Sequence, residues 1–179
     1  MSLHTLKDVN GLADPLKQYQ CTFSISRGIG TALSGGIIRK KDFELRCTSF
    51  TYPGSTVLKD ELVIFNHIRR RGTTQDKSGV WKVSVTEDMN GSVLTSLQDW
   101  MDNIFNPATG IMMPSALYVA MASVDILGPD MKSTKRIYLR GLYPTKIEDI
   151  QVDPSSSKPV QVNVEFNYDW WSRDKLLGL

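Results

Sequence analysis

The stretch VQVNVEFNYDWW at residues 160–171 constrains the fold more than any other part of the chain. Val160, Val162, Val164, Phe166, Tyr168 and Trp170 share one parity, and Gln161, Asn163, Glu165, Asn167 and Asp169 share the other. Side chains of a strand alternate between two faces, so this spelling demands a strand with one face in an apolar core and one polar face. The same alternation runs through QYQCTFSI (18–25), FELRCTSF (43–50) and GVWKVSVTED (79–88). TVLKDELVIFNHI (56–68) reads as one unusually long strand, apolar in its second half. SALYVAMASVDIL (115–127) is apolar at both parities, as a strand covered on both sides would be.

One segment departs from period two. In NGSVLTSLQDWMDNIF (90–105), Val93, Leu97, Trp100, Met101 and Ile104 fall at helical spacing, with Gln98, Asp99 and Asp102 largely on the other side. Asn90 or Ser92 is the expected N-cap, and NPATG (106–110) the stop. The expected fold is therefore mainly β: a sandwich or barrel of about seven strands with one packed amphipathic helix. At 179 residues the chain reads as one domain, 1–179, with a flexible N-terminus (1–15) and C-terminal tail (172–179).

IYLRGLYPTKIEDIQVD (137–153) starts as a strand and then meets Gly141 and Pro144. Glycine permits a conformation or a close approach that a side chain blocks, and proline fixes φ, so Gly141, Tyr143, Pro144 and Thr145 are expected to form a structural turn. Glu148, Asp149 and Asp153 then read as a solvent-facing connection back to the last strand. Trp170 and Trp171 are adjacent on a strand, point to opposite faces, and cannot both fill one core. One of them needs another surface, and aromatic residues are enriched at interface cores.

Formal net charge is +2, which gives no electrostatic footing for nucleic acid or a membrane surface. No run approaches the ~20 apolar residues of a spanning helix. MSLHTLKDVNGLADP lacks the basic-then-apolar pattern of a secretory signal, so folding in a cytoplasm is expected. There, Cys21 and Cys47 would stay as buried free thiols.

Catalytic and cofactor chemistry find no support in the spacing. SRGIGTALSGG (26–36) places Gly35 five positions after Gly30, with no Gly-Lys-Ser/Thr ending and no helical segment following, so it reads as a loop rather than a phosphate cradle. His4 and His67 with two cysteines do not converge on a zinc-ligand pattern, and no Gly-x-Ser-x-Gly elbow is present. His67 reads as a solvated strand end. RRRGTTQDKSG (69–79) reads as a solvated, polar hairpin tip, with a phosphate-binding tip and a rim contact to a partner as the alternatives. No enzyme activity, cofactor or metal is expected.

Order and spacing of these segments resemble the tail tube proteins of contractile-tailed (myovirus) bacteriophages. The resemblance is carried by FELRCTSFTYPGS, VWKVSVTEDMNGSVLTSLQDWMDNI, IYLRGLYPTKIEDIQVD and VQVNVEFNYDWW, covering most of residues 40–171. Residues 31–41 and 172–179 have no counterpart in it. It implies subunits in hexameric rings, stacked into a hollow tube whose shared inner β-barrel conducts DNA. It implies as partners other copies of the chain, a contractile sheath, a tape-measure protein, and baseplate and tail terminator proteins. DNA would pass without specific binding, and the protein would reside in the virion tail after assembly in the host cytoplasm.

Open strand edges seek partners, and ring closure would satisfy them. On that basis Gly28, Gly30, Tyr52, Pro53, Trp170 and Trp171 are candidate inter-subunit contacts. Gln161, Asn163, Glu165, Asn167 and Asp169 form a candidate lumen-facing or otherwise exposed polar face, because a conduit for DNA should be polar without being strongly basic. The alternatives are a tube or tube-initiating subunit of a baseplate or phage-derived injection machine, a monomeric β-sandwich binding module, and a DNA-binding protein. Self-assembly separates them.

Overall fold

The computed structural model describes residues 21–26, 40–153, 155 and 157–173. The elements are β1 (Cys21–Ser26), α1 (Lys40–Leu45), β2 (Cys47–Phe50), β3 (Thr56–Ile64), β4 (His67–Asp76) and β5 (Gly79–Thr86). They continue with α2 (Ser92–Ile104), β6 (Phe105–Asn106), β7 (Ile111–Met112), α3 (Ser115–Tyr118), β8 (Ala120–Leu127), β9 (Ser133–Ile147), β10 (Gln161–Tyr168) and β11 (Trp170–Ser172). Seven strands form one sheet in the order β1-β8-β9-β10-β5-β2, with β11 also paired to β9; every pairing is antiparallel. Two separate hairpins, β3–β4 and β6–β7, stand outside it.

The sheet rolls until its ends meet. Phe23 on the first strand lies 5.3 Å, ring to ring, from Phe50 on the last, and 5.1 Å from Trp81 on β5. Trp81 continues the stack to Phe166, and Phe166 to Trp100 of α2. Val83, Val85, Val162, Val164, Ile137, Leu139 and Leu142 fill the remainder, each at most 1% exposed. The expected alternation in β5 and β10 is therefore realised: Val162, Val164, Phe166 and Tyr168 are buried and their neighbours are not.

The roll turns a corner at Gly141, and here the sequence reading needs correction. Residues 141–145 do not form a turn; β9 runs unbroken for 15 residues. It pairs with β11 through Tyr138–Arg140 and with β10 through Tyr143–Ile147, changing partner between them. At the change Gly141 adopts φ +68°, and the space a Cβ would occupy is filled by the Asp169 carboxylate. Asp169 sits at the matching bend between β10 and β11, and its N–H donates to the Arg140 carbonyl at 2.9 Å. Pro144 lies within the β9–β10 ladder, which skips Thr145: Glu165 pairs Lys146 and Phe166 pairs Pro144. A bulge accommodates a residue without an N–H, and the Thr145 hydroxyl bonds the Glu165 carbonyl at 3.1 Å instead.

Other expectations shift for local reasons. Residues 43–45 belong to the short helix α1, which buries Phe43 and leaves Leu45 exposed, rather than to a strand. Residues 115–118 are likewise helical, so the strand begins at Ala120; Ser123 and Asp125 on its second face are buried. Asp125 accepts from the Ser133 hydroxyl and pairs with Arg136. The helix at 92–104 buries Val93, Leu97 and Trp100 as expected, but neither Asn90 nor Ser92 caps it. Glu87 accepts from the N–H groups of Val93 (2.9 Å) and Leu94 (2.8 Å), and Asp88 from that of Ser92 (2.8 Å). Carboxylates four and five residues before Ser92 thus satisfy the orphan donors of the first turn, reached because Gly91 takes a left-handed conformation. Cys21 and Cys47 are free thiols, half-buried, and burial pushes Cys47 up to about 11.

Replacing Gly141 by Ala imposes both a left-handed alanine and a collision with Asp169. The expected loss is about 2–3 kcal/mol in denaturant unfolding. Asp169→Gly in the same chain should recover the steric share only. Glu87→Ala removes two caps at once and should cost about 1–2 kcal/mol, read by the same titration.

Candidate self-association surfaces

The most exposed structure is the β3–β4 arm. Phe65 and Asn66 connect its strands with φ of 47° and 63°, and the register runs from Ile64 opposite His67 down to Thr56 opposite Asp76. Every residue of both strands is exposed. The expected single strand over 56–68 is therefore a hairpin, and Arg69–Arg71 lie within its second strand, not at a tip. The missed signal was the pair Phe-Asn between two β-rich runs: asparagine tolerates positive φ, but phenylalanine at such a turn is uncommon enough to hide it. His67 is a solvated strand end, as expected.

Directly opposed residues share a face. One face of the arm carries Lys59, the Glu61–Arg70 ion pair (2.7 Å), Val63 and Ile68; the other carries Asp60, Arg71, Leu62, Arg69, Ile64 and His67. Phe65 at the tip is 93% exposed, Val63 71% and Ile68 60%.

Two tryptophans hold the arm's root. The indole N–H of Trp81 donates to the Thr51 carbonyl at 2.8 Å, and that of Trp171 to the Gly54 carbonyl at 2.6 Å. Lys77 lies over the Trp171 ring at 5.1 Å, and Gln75 bonds the Ser55 hydroxyl. Trp171 is buried and Trp170 is exposed, the reverse of the parity read from the sequence, because the bend at Asp169 shifts the phase by one residue. Trp170 rests against the Arg140 guanidinium at 5.3 Å. Of the other candidate contacts, Tyr52 is exposed, Pro53 is buried within the subunit, and Gly28 and Gly30 lie outside the described residues.

The outer face of β10 is polar and internally paired. Lys82 bonds Glu165, holding its carboxyl below the usual range; Ser84 donates to Asn163 at 2.7 Å, and Asn167 to the Tyr143 hydroxyl at 3.1 Å. Gln161 is exposed at the start of this row. Asp169 leaves the row, since its side chain packs over Gly141.

At the Gln161 end of the same strand lies an open groove of about 820 Å³, lined by Glu148, Asp149, Asp153, Val152, Lys158 and Pro159 among others. Asp149 and Asp153 are exposed, as expected for this connection, and Glu148 is half-buried. Asp153 is held below the usual carboxylate range by the hydroxyl and N–H of Ser155. Among the described residues no cluster of His, Cys, Asp and Glu is arranged to hold a metal, and no helix is long and apolar enough to cross a membrane.

The fold of this chain has counterparts in contractile machines. The chain is similar to the sheath/tube terminator of an extracellular contractile injection system (PVC), at 10% identity and TM-score 0.63, covering 90% of this chain and 98% of that one. It is similar to a chain of that system's sheath-tube complex, at 9% identity and TM-score 0.61, covering 95% and 97%. The tube-terminating cap of the anti-feeding prophage (AFP) gives 8% identity and TM-score 0.63 over 90% and 92%. No curated protein sequence matches significantly. The fold is thus that of tube-type proteins. Residues 16–174 match the phage tail tube protein family, and the chain belongs to that family. It is accordingly a structural component of the virion tail and not an enzyme.

Trp171→Phe keeps the ring and removes the donor to Gly54. The expected cost to global stability is about 1 kcal/mol. Amide exchange in residues 51–58 should accelerate well beyond that in β5; equal protection in both would show that the indole does not anchor the arm.

Proposed function

We propose that this chain forms the hollow tail tube itself: hexameric rings stacked inside a contractile sheath, conducting DNA at ejection. The observation that carries the reading is the arm. A two-stranded hairpin is marginal in water, and this one displays Val57, Leu58, Val63, Ile64, Phe65 and Ile68 at 48% exposure or more. A neighbouring subunit supplies the cover. Among the described residues the rolled sheet adds two edges without a strand partner, since β1 pairs there with β8 alone and β2 with β5 alone. On β1 the Ile25 N–H is met by the Glu44 carboxylate at 3.0 Å, which marks that edge as guarded against indiscriminate pairing.

In this reading the paired, nearly neutral row Gln161, Asn163, Glu165 and Asn167 faces the lumen, where fixed positive charge would retard DNA. Sheath, tape-measure protein, baseplate and terminator are the partners, and assembly takes place in the host cytoplasm before the tail joins the virion. Residues 1–179 act as one tail-tube domain. A second reading is favoured by the similarity to terminator and baseplate chains of injection systems: a tube-initiating or tube-capping subunit, which would form a single ring.

Negative-stain electron microscopy of the purified chain over a concentration series tests both. Stacked hollow tubes are expected; isolated rings that never stack would favour the initiator or cap. A monomer at all concentrations, unchanged by added preformed baseplates, would sink both.

A further inference from the structure

We propose that Asn90 is a covalent modification site: the Gly91 backbone nitrogen displaces its side-chain amide as ammonia, and the isoaspartate that results uncouples α2 from the carboxylates that cap it. The co-reactant is water, and no enzyme or cofactor takes part. The inference is independent of whether the chain polymerises.

The step is an intramolecular substitution. The Gly91 N–H loses its proton to hydroxide, the nitrogen forms a bond to Asn90 Cγ, and the Cγ–Nδ2 bond breaks. The departing nitrogen takes a proton back from water and leaves as ammonia. A single water molecule then opens the cyclic imide. Attack at the former side-chain carbonyl gives aspartate; attack at the main-chain carbonyl gives isoaspartate, in which the chain runs through Cβ and Cγ. In sum, one water enters and one ammonia leaves.

Three observations single out this asparagine. The first is its neighbour. Of the six described asparagines, the other five precede a residue with a side chain, among them Ile104, Val164 and Pro107, whose nitrogen carries no hydrogen. Gly91 leaves the approach bare, and no atom lies within 4 Å of where its Cβ would be. Asn10 also precedes a glycine and lies outside the described residues. The second is the amide itself. Asn103 donates to the Asp99 carbonyl at 2.7 Å and Asn167 to the Tyr143 hydroxyl, while Asn106 and Asn163 accept through Oδ1. The Asn90 side chain neither caps α2 nor makes another hydrogen bond among the described residues. The third is the turn. Met89 and Asn90 are exposed, and among the described residues the Gly91 N–H is held by the Asp88 carbonyl alone, at 3.2 Å. Opening that bond frees the nucleophile without disturbing the core.

The same turn is where the change does most. Glu87 reaches the N–H groups of Val93 and Leu94, and Asp88 that of Ser92, across residues 89–91. The length of that link sets carboxylates and donors in register, and isoaspartate adds a main-chain carbon to it.

The test ages the purified full-length chain in mildly alkaline heavy-oxygen water and reads, by peptide mapping, the oxygen taken up at each asparagine. Label at Asn90 is expected to exceed that at Asn66, Asn103, Asn163 and Asn167 by roughly tenfold or more. Label at Asn90 no higher than at those positions would overturn the site. Asn90→Gln, which would have to close a larger ring, should take up little label at residue 90. Hydrogen exchange then reads the consequence. In the isoaspartate fraction the Val93 and Leu94 amides should exchange as fast as in Glu87→Ala, which loses the same two bonds, with β5 unchanged. Asn90→Asp brings the charge without the added carbon and should exchange like fresh wild type. Isoaspartate chains with wild-type exchange at Val93 and Leu94, or an Asn90→Asp chain as labile as they are, would overturn the uncoupling.

Discussion

The corner at Gly141 governs the rest of the structure. A seven-stranded antiparallel sheet left open would expose an apolar face, and rolling it requires strands that change direction without losing their ladder. Strand β9 does so by exchanging β11 for β10 as its partner, with the bend between those two strands set directly opposite its own. The contact closes through one side chain and one missing side chain: Asp169 occupies what would be the Cβ of Gly141. Everything downstream follows from that fold-over. Phe23 reaches Phe50, Trp81 becomes fully buried, and the phase of the last strand slips so that Trp171, not Trp170, turns inward.

That slip links the core to the surface. Because Trp171 points inward, its indole N–H meets the Gly54 carbonyl at the root of the arm, as Trp81 does at Thr51. The arm's direction is thus set by the same aromatic residues that close the core. A flexible tether would lose orientational entropy each time an arm engaged a neighbour; a root fixed by two buried donors has already lost much of it within the folded subunit. The rolled sheet and the root of the arm are one construction.

Much of this was written locally. Period-two spelling in 79–86 and 161–168 named the two central strands and their buried residues, and the helix face at Val93, Leu97 and Trp100 was equally plain. What escaped were features decided by contacts distant in sequence. Gly141 and Pro144 look like a turn because glycine and proline usually interrupt strands; only the facing bend at Asp169 and the bulge at Thr145 keep β9 continuous. Glu87 and Asp88 cap α2 from across a left-handed glycine, beyond the reach of a rule that looks at the residue adjoining the helix. Residues 56–68 read as one strand because the turn at Phe65–Asn66 uses phenylalanine where glycine is customary, and because exposed β-branched residues spell the same pattern as buried ones.

The same property explains the arm's charges. An exposed, apolar ribbon with free edges is a template for uncontrolled pairing, and natural sheets blunt such edges with lysine, arginine and inward charge. Here Lys59, Asp60 and Glu61 sit opposite Gly72, Arg71 and Arg70, midway along the ribbon and away from the apolar tip. A second ribbon aligned antiparallel along the edge would have to fit that charged band into its own register. The band thus acts against indiscriminate pairing from the middle of the ribbon, with Val57 and Leu58 on its root side and Val63, Ile64 and Phe65 on its tip side.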